Sequence, residues 1–235
     1  MCRHISAVTK LHFRTLAGAY WGVGSLTGFF LIQALVFVIL MINGVFEMGS
    51  LSGLSIGNYL WLFPAIAAIQ IPAYNFRRII NLGGKRDNFF WGSLMCYAII
   101  AASVSLANTL MYYLLDSFLI NTGYFGYIDN AVEAFGWAER GMLAVFIQQF
   151  AFLFLLAVFI HTLVAAQGKW YGWVADALII AIISVFTPIA PLRAVLAGFF
   201  RLIIFSSPLL QITACLVLGL AIYWLSKIIF ARKAI

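Results

Sequence analysis

Charge is scarce in this sequence. Of its 235 residues, 9% are Asp, Glu, Lys or Arg, while 65% are hydrophobic and 17% aromatic. A soluble domain carries about 25% charged and roughly 45–50% apolar residues. A chain this apolar cannot cover a water-facing surface, which excludes a soluble globular protein. The same figures exclude a disordered chain, which needs low hydrophobicity and high charge. Cysteine is equally sparse. Cys2, Cys96 and Cys215 are odd in number and widely spaced, and two lie inside apolar runs. That is neither a disulfide framework nor a metal-ligand spacing. Catalytic signatures are missing as well: there is no H-E-x-x-H, no G-x-S-x-G and no carboxylate pair within an apolar run. The N-terminal region is basic and mixed, and the apolar run after it is too long for a signal core, so no cleavable signal is expected. There is no internal repeat, low-complexity tract or soluble domain.

What is present are long apolar runs. A helix needs about 20 apolar residues to cross a hydrocarbon core of about 30 Å. Six stretches qualify: 21–42, 56–74, 89–115, 142–165, 173–189 and 209–229. They lack the alternation of barrel strands, and backbone groups in lipid must pair internally, so they read as helices. Gln33 is the most polar member of the first, and Pro64 and Pro72 lie inside the second. Residues 188–208 are also apolar but carry Arg193 and Arg201 between prolines. Each arginine costs about 2.5–3.5 kcal/mol at the centre of a span. A short re-entrant or interfacial helix on the outer side therefore fits better than a seventh span. The expected fold is an all-α integral membrane protein: one transmembrane domain over 1–235 with six transmembrane helices.

The net charge of +7 reports topology and anionic headgroups rather than nucleic acid. With both termini inside, Arg3, Lys10, Arg14, Arg77, Arg78, Lys85, Arg86, Lys169, Lys227, Arg232 and Lys233 are cytoplasmic. Arg140, Arg193 and Arg201 are then outside, with the acids Glu47, Asp116, Asp129, Glu133 and Glu139. The positive-inside rule favours this N-in, C-in arrangement. Residues 3–19 mix Ile5, Val8, Leu11 and Leu16 with Lys10, His12 and Arg14. They read either as an amphipathic helix on the inner surface or as a basic topogenic leader.

The loops hold the candidate functional residues. The inner loop 75–88 is the most basic part of the chain. Its Gly83-Gly84-Lys85 lacks the earlier glycine and the following Ser or Thr of a phosphate loop. No nucleotide is expected there, so any ATP-driven motor must be another polypeptide. The outer loop 116–140 is long, acidic and aromatic, and 128–137 reads as a short flat helix. Its Asp116, Asp129, Glu133 and Glu139, near Tyr124, Phe125, Tyr127, Phe135 and Trp137, suit a cationic amphipathic cargo. They also suit plain exclusion of basic residues from the outer side. Gly18/Gly22 and Gly24/Gly28 are small-xxx-small pairs that let helices approach closely. His161 and Asp176 lie toward the inner ends of the fourth and fifth spans, as hydrogen-bonded interface residues or as functional ones. Trp170, Tyr171 and Trp173 sit where an interfacial aromatic belt belongs.

An amphipathic leader, six spans, a basic loop after span two and a re-entrant segment after span five together resemble the permease subunit of a type-two ATP-binding cassette exporter, in its small bacterial six-span class. The resemblance in topology covers nearly the whole chain. In sequence it is local, over Phe76-Arg77-Arg78-Ile79-Ile80-Asn81-Leu82-Gly83-Gly84-Lys85-Arg86-Asp87-Asn88-Phe89-Phe90. In that family a similar stretch is a coupling helix docked on the ATPase. The resemblance thus implies an ATPase-coupling role for Arg77, Arg78, Ile79, Ile80, Asn81, Leu82, Gly83, Gly84, Lys85 and Arg86. It implies a cytoplasmic ATPase partner that carries the ATP and magnesium, with no cofactor on this chain. It implies pairing with a second copy or a sister permease in the bacterial cytoplasmic membrane. The expected cargo is an amphipathic peptide, a lipid or a drug-like molecule. Two other classes stay open: the six-span substrate-capture subunit of a vitamin importer, and a non-transporting assembly factor.

Overall fold

The computed structural model describes residues 2–44, 52–123, 125–167 and 169–232. Glu47, Tyr124 and Lys233, placed by the sequence on the outer loops and at the inner end, lie outside the described residues. Helix α1 is Cys2–Thr15 and α2 is Ala17–Ile42. A short strand β1, Ser52–Leu54, leads into α3 (Ile56–Tyr59), α4 (Leu62–Gln70) and α5 (Phe76–Asn81). Helix α6 (Arg86–Met111) runs on into α7 (Ser117–Asn121). Strand β2 (Tyr127–Asp129), the single turn α8 (Ala131–Ala134) and a 3₁₀ turn (Ala138–Arg140) lead to α9 (Met142–Ala166). The chain then forms α10 (Trp170–Phe186), α11 (Ala190–Phe200) and α12 (Pro208–Arg232).

Five helical stretches are long and apolar enough to cross a membrane: Ala17–Ile42, Ile56–Asn81, Arg86–Asn121, Met142–Ala166 and Pro208–Ala231. A sixth is reached when α10 and the helix from Ala190 to Phe205 are taken as one broken span, bent by 118°. Pro188 stands in the break and Pro191 in the first turn of α11, where its missing N–H costs nothing. The chain is thus a helical membrane protein in which the proline-bracketed segment turns sharply away from the helix before it.

Three of these helices contain π-helical turns: Ile71–Asn75, Tyr112–Asp116 and Arg201–Phe205. Such a turn inserts one residue and rotates the side chains that follow. Pro72 accounts for the first, because it cannot donate the usual backbone bond. The turns make spans two and three continuous past the expected ends at 74 and 115.

Two expectations for the loops are corrected. Strands β1 and β2 pair in parallel, Ser52 with Tyr127 and Leu54 with Asp129, so a small sheet joins loops expected to hold none. The flat helix expected over 128–137 is instead the end of β2, one helical turn and a bend. Asn130 stops the helix from starting earlier, because its extended backbone lets its side chain accept from the Val132 N–H at 2.8 Å.

The core forms around α9, which packs against α12, α6 and α4. Phe89, Tyr97, Ile100, Leu153, Phe154, Val158, Tyr223 and Phe230 are buried there. His161 is fully buried in the same core, 2.6 Å from the Tyr97 hydroxyl, and Asp176 accepts from Gln167 at 2.9 Å. By contrast α10 buries only Gly172, and α11 buries nothing, within this chain.

Candidate functional site

Chemistry-bearing residues gather at the two ends of the bundle. At the basic end, α5 is a short helix closed by two glycines. Gly83 has φ of +79°, a left-handed conformation that favours glycine. Its N–H donates to the Ile80 carbonyl and that of Gly84 to the Ile79 carbonyl, both at 2.9 Å. This is the Schellman pattern of a helix C-terminus. A Cβ on Gly84 would fall 2.5 Å from Ile79 Cγ2 and 2.8 Å from its carbonyl oxygen, so the turn closes only over glycine.

The expected coupling residues split between two faces of this turn. Arg77, Arg78, Asn81, Leu82, Gly83 and Lys85 are exposed, and Leu82 is 74% exposed. Ile80 and Gly84 are half-buried. Ile79 points inward and is 3% exposed, so it seats the turn on the bundle and is closed to a partner. Arg86 is likewise engaged, its guanidinium donating to the carbonyls of Phe230 and Ala231 at 2.9 and 2.5 Å. It caps the free carbonyls at the C-terminal end of α12.

The N-terminal helix braces the same end. Val8, Thr9, His12 and Leu16 are buried along one stripe of the chain. Val8 sits so close over α6 that a Cβ on Gly92 would lie 2.6 Å from its Cγ1. Asn75, on the first π-turn, donates to Thr15 Oγ1 at 2.6 Å and lies 2.9 Å from His12 Nδ1. His12 Nε2 is 3.1 Å from Ser93 Oγ. Burial holds the His12 pKa down at about 4, so the ring is neutral at pH 7. The leader is therefore docked on α6 by a polar knot, beyond the surface helix or topogenic leader that the sequence suggested. The periodicity contained the signal: His12 stands four residues from Val8 and from Leu16, on the apolar stripe.

At the opposite end lies a cleft of about 320 Å³ between α2, β1, α3 and the end of span three. Phe30, Phe37, Tyr59, Leu119 and Phe125 supply apolar walls, and Gln33, Ser55 and Asp116 are its polar members. Phe30 stacks on Tyr59 with centroids 4.1 Å apart. Asp116, on the second π-turn, is 3% exposed. Its Oδ2 accepts from Ser55 Oγ at 2.6 Å and from Asn130 Nδ2 at 2.7 Å. Among the described residues, no lysine, arginine or histidine lines the cleft.

The four acids grouped by the sequence do not form one site. Asp116 alone lines the cleft. Asp129, Glu133 and Glu139 are exposed. Trp137, expected beside them, is fully buried and donates to the Ile204 carbonyl at 2.8 Å, tying the loop to the turn after α11. Gly18, Gly22, Gly24 and Gly28 face open space, since a Cβ on any of them meets nothing within 4 Å. Inside the bundle, buried amides that the sequence reading passed over pair across helices, Gln148 with Gln211 and Asn108 with Gln149. Among the described residues no three of His, Cys, Asp and Glu converge as a metal site would require.

No protein-family model, no curated protein and no solved structure matches the chain.

Proposed function

We propose that the chain is the membrane-spanning permease subunit of an ATP-driven exporter, N-in and C-in in a bacterial cytoplasmic membrane. It works with a separate cytoplasmic ATPase that binds the ATP and magnesium. One observation carries this reading: the glycine-closed helix α5, with Arg77, Arg78 and Leu82 outward and Ile79 seated on the bundle. A loop that only anchors to headgroups needs charge and no defined shape. This one presents a shaped knob, continuous through the π-turn with span two and braced by α1. Force applied to such a knob moves a span. The nearly unpacked α2 and α10–α11 suit helices that complete their packing against lipid and a second copy of the chain. Among the described residues the spans hold no buried ion pair, which suits an apolar or amphipathic cargo.

The cleft at the far end favours the second reading, a substrate-capture subunit of an importer, because capture requires a ligand cavity on the outer side. Co-purification separates the two. An exporter permease retains a soluble ATPase, and Leu82→Asp releases it while the chain still inserts. A capture subunit retains a larger membrane scaffold as well. A chain that retains neither overturns both.

A further inference from the structure

The geometry points to the cleft around Asp116 as a binding site for a small amphiphilic cation, a primary or quaternary ammonium carried on an aromatic or alkyl body. The volume of about 320 Å³ lies at the low end of the roughly 300–1,000 Å³ typical of small-ligand sites. That admits one head group and a body of a few rings, and excludes a folded peptide.

The walls and the floor ask for different things. Phe30, Phe37, Tyr59 and Phe125 line it with aromatic rings, which cover an apolar body and whose π-surfaces attract a cation. Asp116 gives a carboxylate with two unequal oxygens. Oδ2 is held by Ser55 and Asn130. Oδ1 accepts no hydrogen bond among the described residues, although Asp116 lines the cleft. The two bonds fix the carboxylate and leave one oxygen for a ligand. A lone buried carboxylate without a counter-ion is costly, and a bound cation supplies that counter-ion. Ser55 and Asn130 come from the segments beside β1 and β2, so the parallel pairing of those strands aligns both donors on one oxygen. Gly53 adds a steric condition: a Cβ there would crowd the Phe125 ring at 3.2 Å.

A purely structural role for Asp116, as a staple among three segments, requires hydrogen-bond acceptance and no charge. The two roles separate in a binding experiment on the full-length chain in nanodiscs of zwitterionic lipid. The probe is dansylcadaverine, which joins a naphthalene ring to a primary ammonium. Its N-acetylated counterpart is neutral and otherwise alike. Site binding, read from dansyl fluorescence above that of chain-free discs, is expected to favour the ammonium by about tenfold or more. Asp116→Asn keeps an acceptor for Ser55 and Asn130 and should abolish that preference. Ala34→Trp fills the cleft from α2, outside the staple, and should remove binding of both probes with no loss of thermal stability. Equal affinity for the two probes, an unchanged preference in Asp116→Asn, or no signal above chain-free discs each overturns the site. No ATPase takes part in this measurement, so its outcome is independent of the exporter reading.

Discussion

Asn75 and His12 are 63 residues apart in sequence, yet their Nδ2 and Nδ1 atoms lie 2.9 Å apart. An amide N–H donating to Nδ1 leaves the ring proton on Nε2, where it meets Ser93 Oγ. Protonating the ring would place a second N–H on Nδ1, donor against donor. This agrees in direction with burial, which already holds the pKa near 4. The leader helix is thus fastened by a histidine that must remain neutral.

Acid should therefore loosen α1. The folded pKa lies below the ordinary value of 6.5, so the stabilisation is present above pH 6.5 and lost as pH falls toward 4. Amide exchange across Cys2–Thr15, corrected for intrinsic rates, should rise from pH 7 to pH 5 more than exchange across α9. His12→Gln can accept from Asn75 and donate to Ser93 without titrating, and should flatten that difference. His12→Ala leaves both partners short of a bond and should cost about 1–3 kcal/mol at pH 7. Identical pH profiles for the native chain and His12→Gln would exclude the knot as the cause.

The closing turn of α5 allows a graded test. Gly83 has open space where a Cβ would go, so Gly83→Ala is opposed only by its backbone conformation, by roughly 1–2 kcal/mol. Gly84→Ala must instead displace Ile79, whose carbonyl oxygen is part of the cap. The second substitution should destabilise more, measured as the loss of thermal midpoint in detergent. Both should also weaken retention of the ATPase proposed to dock there. Equal and negligible effects would mean that the shape of this turn is unimportant.

The sequence made parts of this legible and hid others for physical reasons. The Gly83–Gly84 cap is local, and its residues announce it. The break at Pro188 is local too, because a proline ends the helix before it. Asp116 was legible only as an acid in an outer loop. Its burial depends on a π-turn without a proline, on Ser55 from another loop and on a strand pairing 75 residues apart in register, Ser52 with Tyr127. Nothing local encodes those. A span that is apolar all round also carries no stripe to say which side is inward. That is why the Gly18, Gly22, Gly24 and Gly28 pairs could suggest a helix contact yet face open space within the chain.

Those glycines make the second copy testable. A Cβ on Gly24 or Gly28 meets nothing within 4 Å, so Gly24→Leu and Gly28→Leu should change the stability of the chain by no more than about 0.5 kcal/mol. A copy packed on that face would be pushed away by both. The expected result is an unchanged thermal midpoint with a lower dimer fraction in crosslinking and light scattering. An unchanged dimer fraction would move the contact to another face, of which α10–α11 is the least packed.

The 118° bend between α10 and α11 gives the sharpest topological forecast. If α11 continued across the bilayer, Arg193 and Arg201 would lie in hydrocarbon at about 2.5–3.5 kcal/mol each near its centre. The bend instead turns the segment back, and Trp137 and Arg140 hold its far end through the Ile204 and Ser206 carbonyls. Both anchors come from the connection before α9, so the end of this segment lies at the same end of the bundle as Trp137 and Arg140; the proposed orientation puts 188–208 and 116–140 together on the outer side, opposite the basic turn. In a chain with its native cysteines replaced by serine, Ala197→Cys should react with a membrane-impermeant maleimide in intact cells. Leu82→Cys, on the exposed basic turn that the proposal places inside, should react only after permeabilisation. The pair matters more than either alone, because it compares two accessible positions across one membrane. Labelling of both in intact cells, or of Leu82→Cys alone, would reverse or break the proposed orientation. Either result would also remove the ATPase from the side where α5 could meet it.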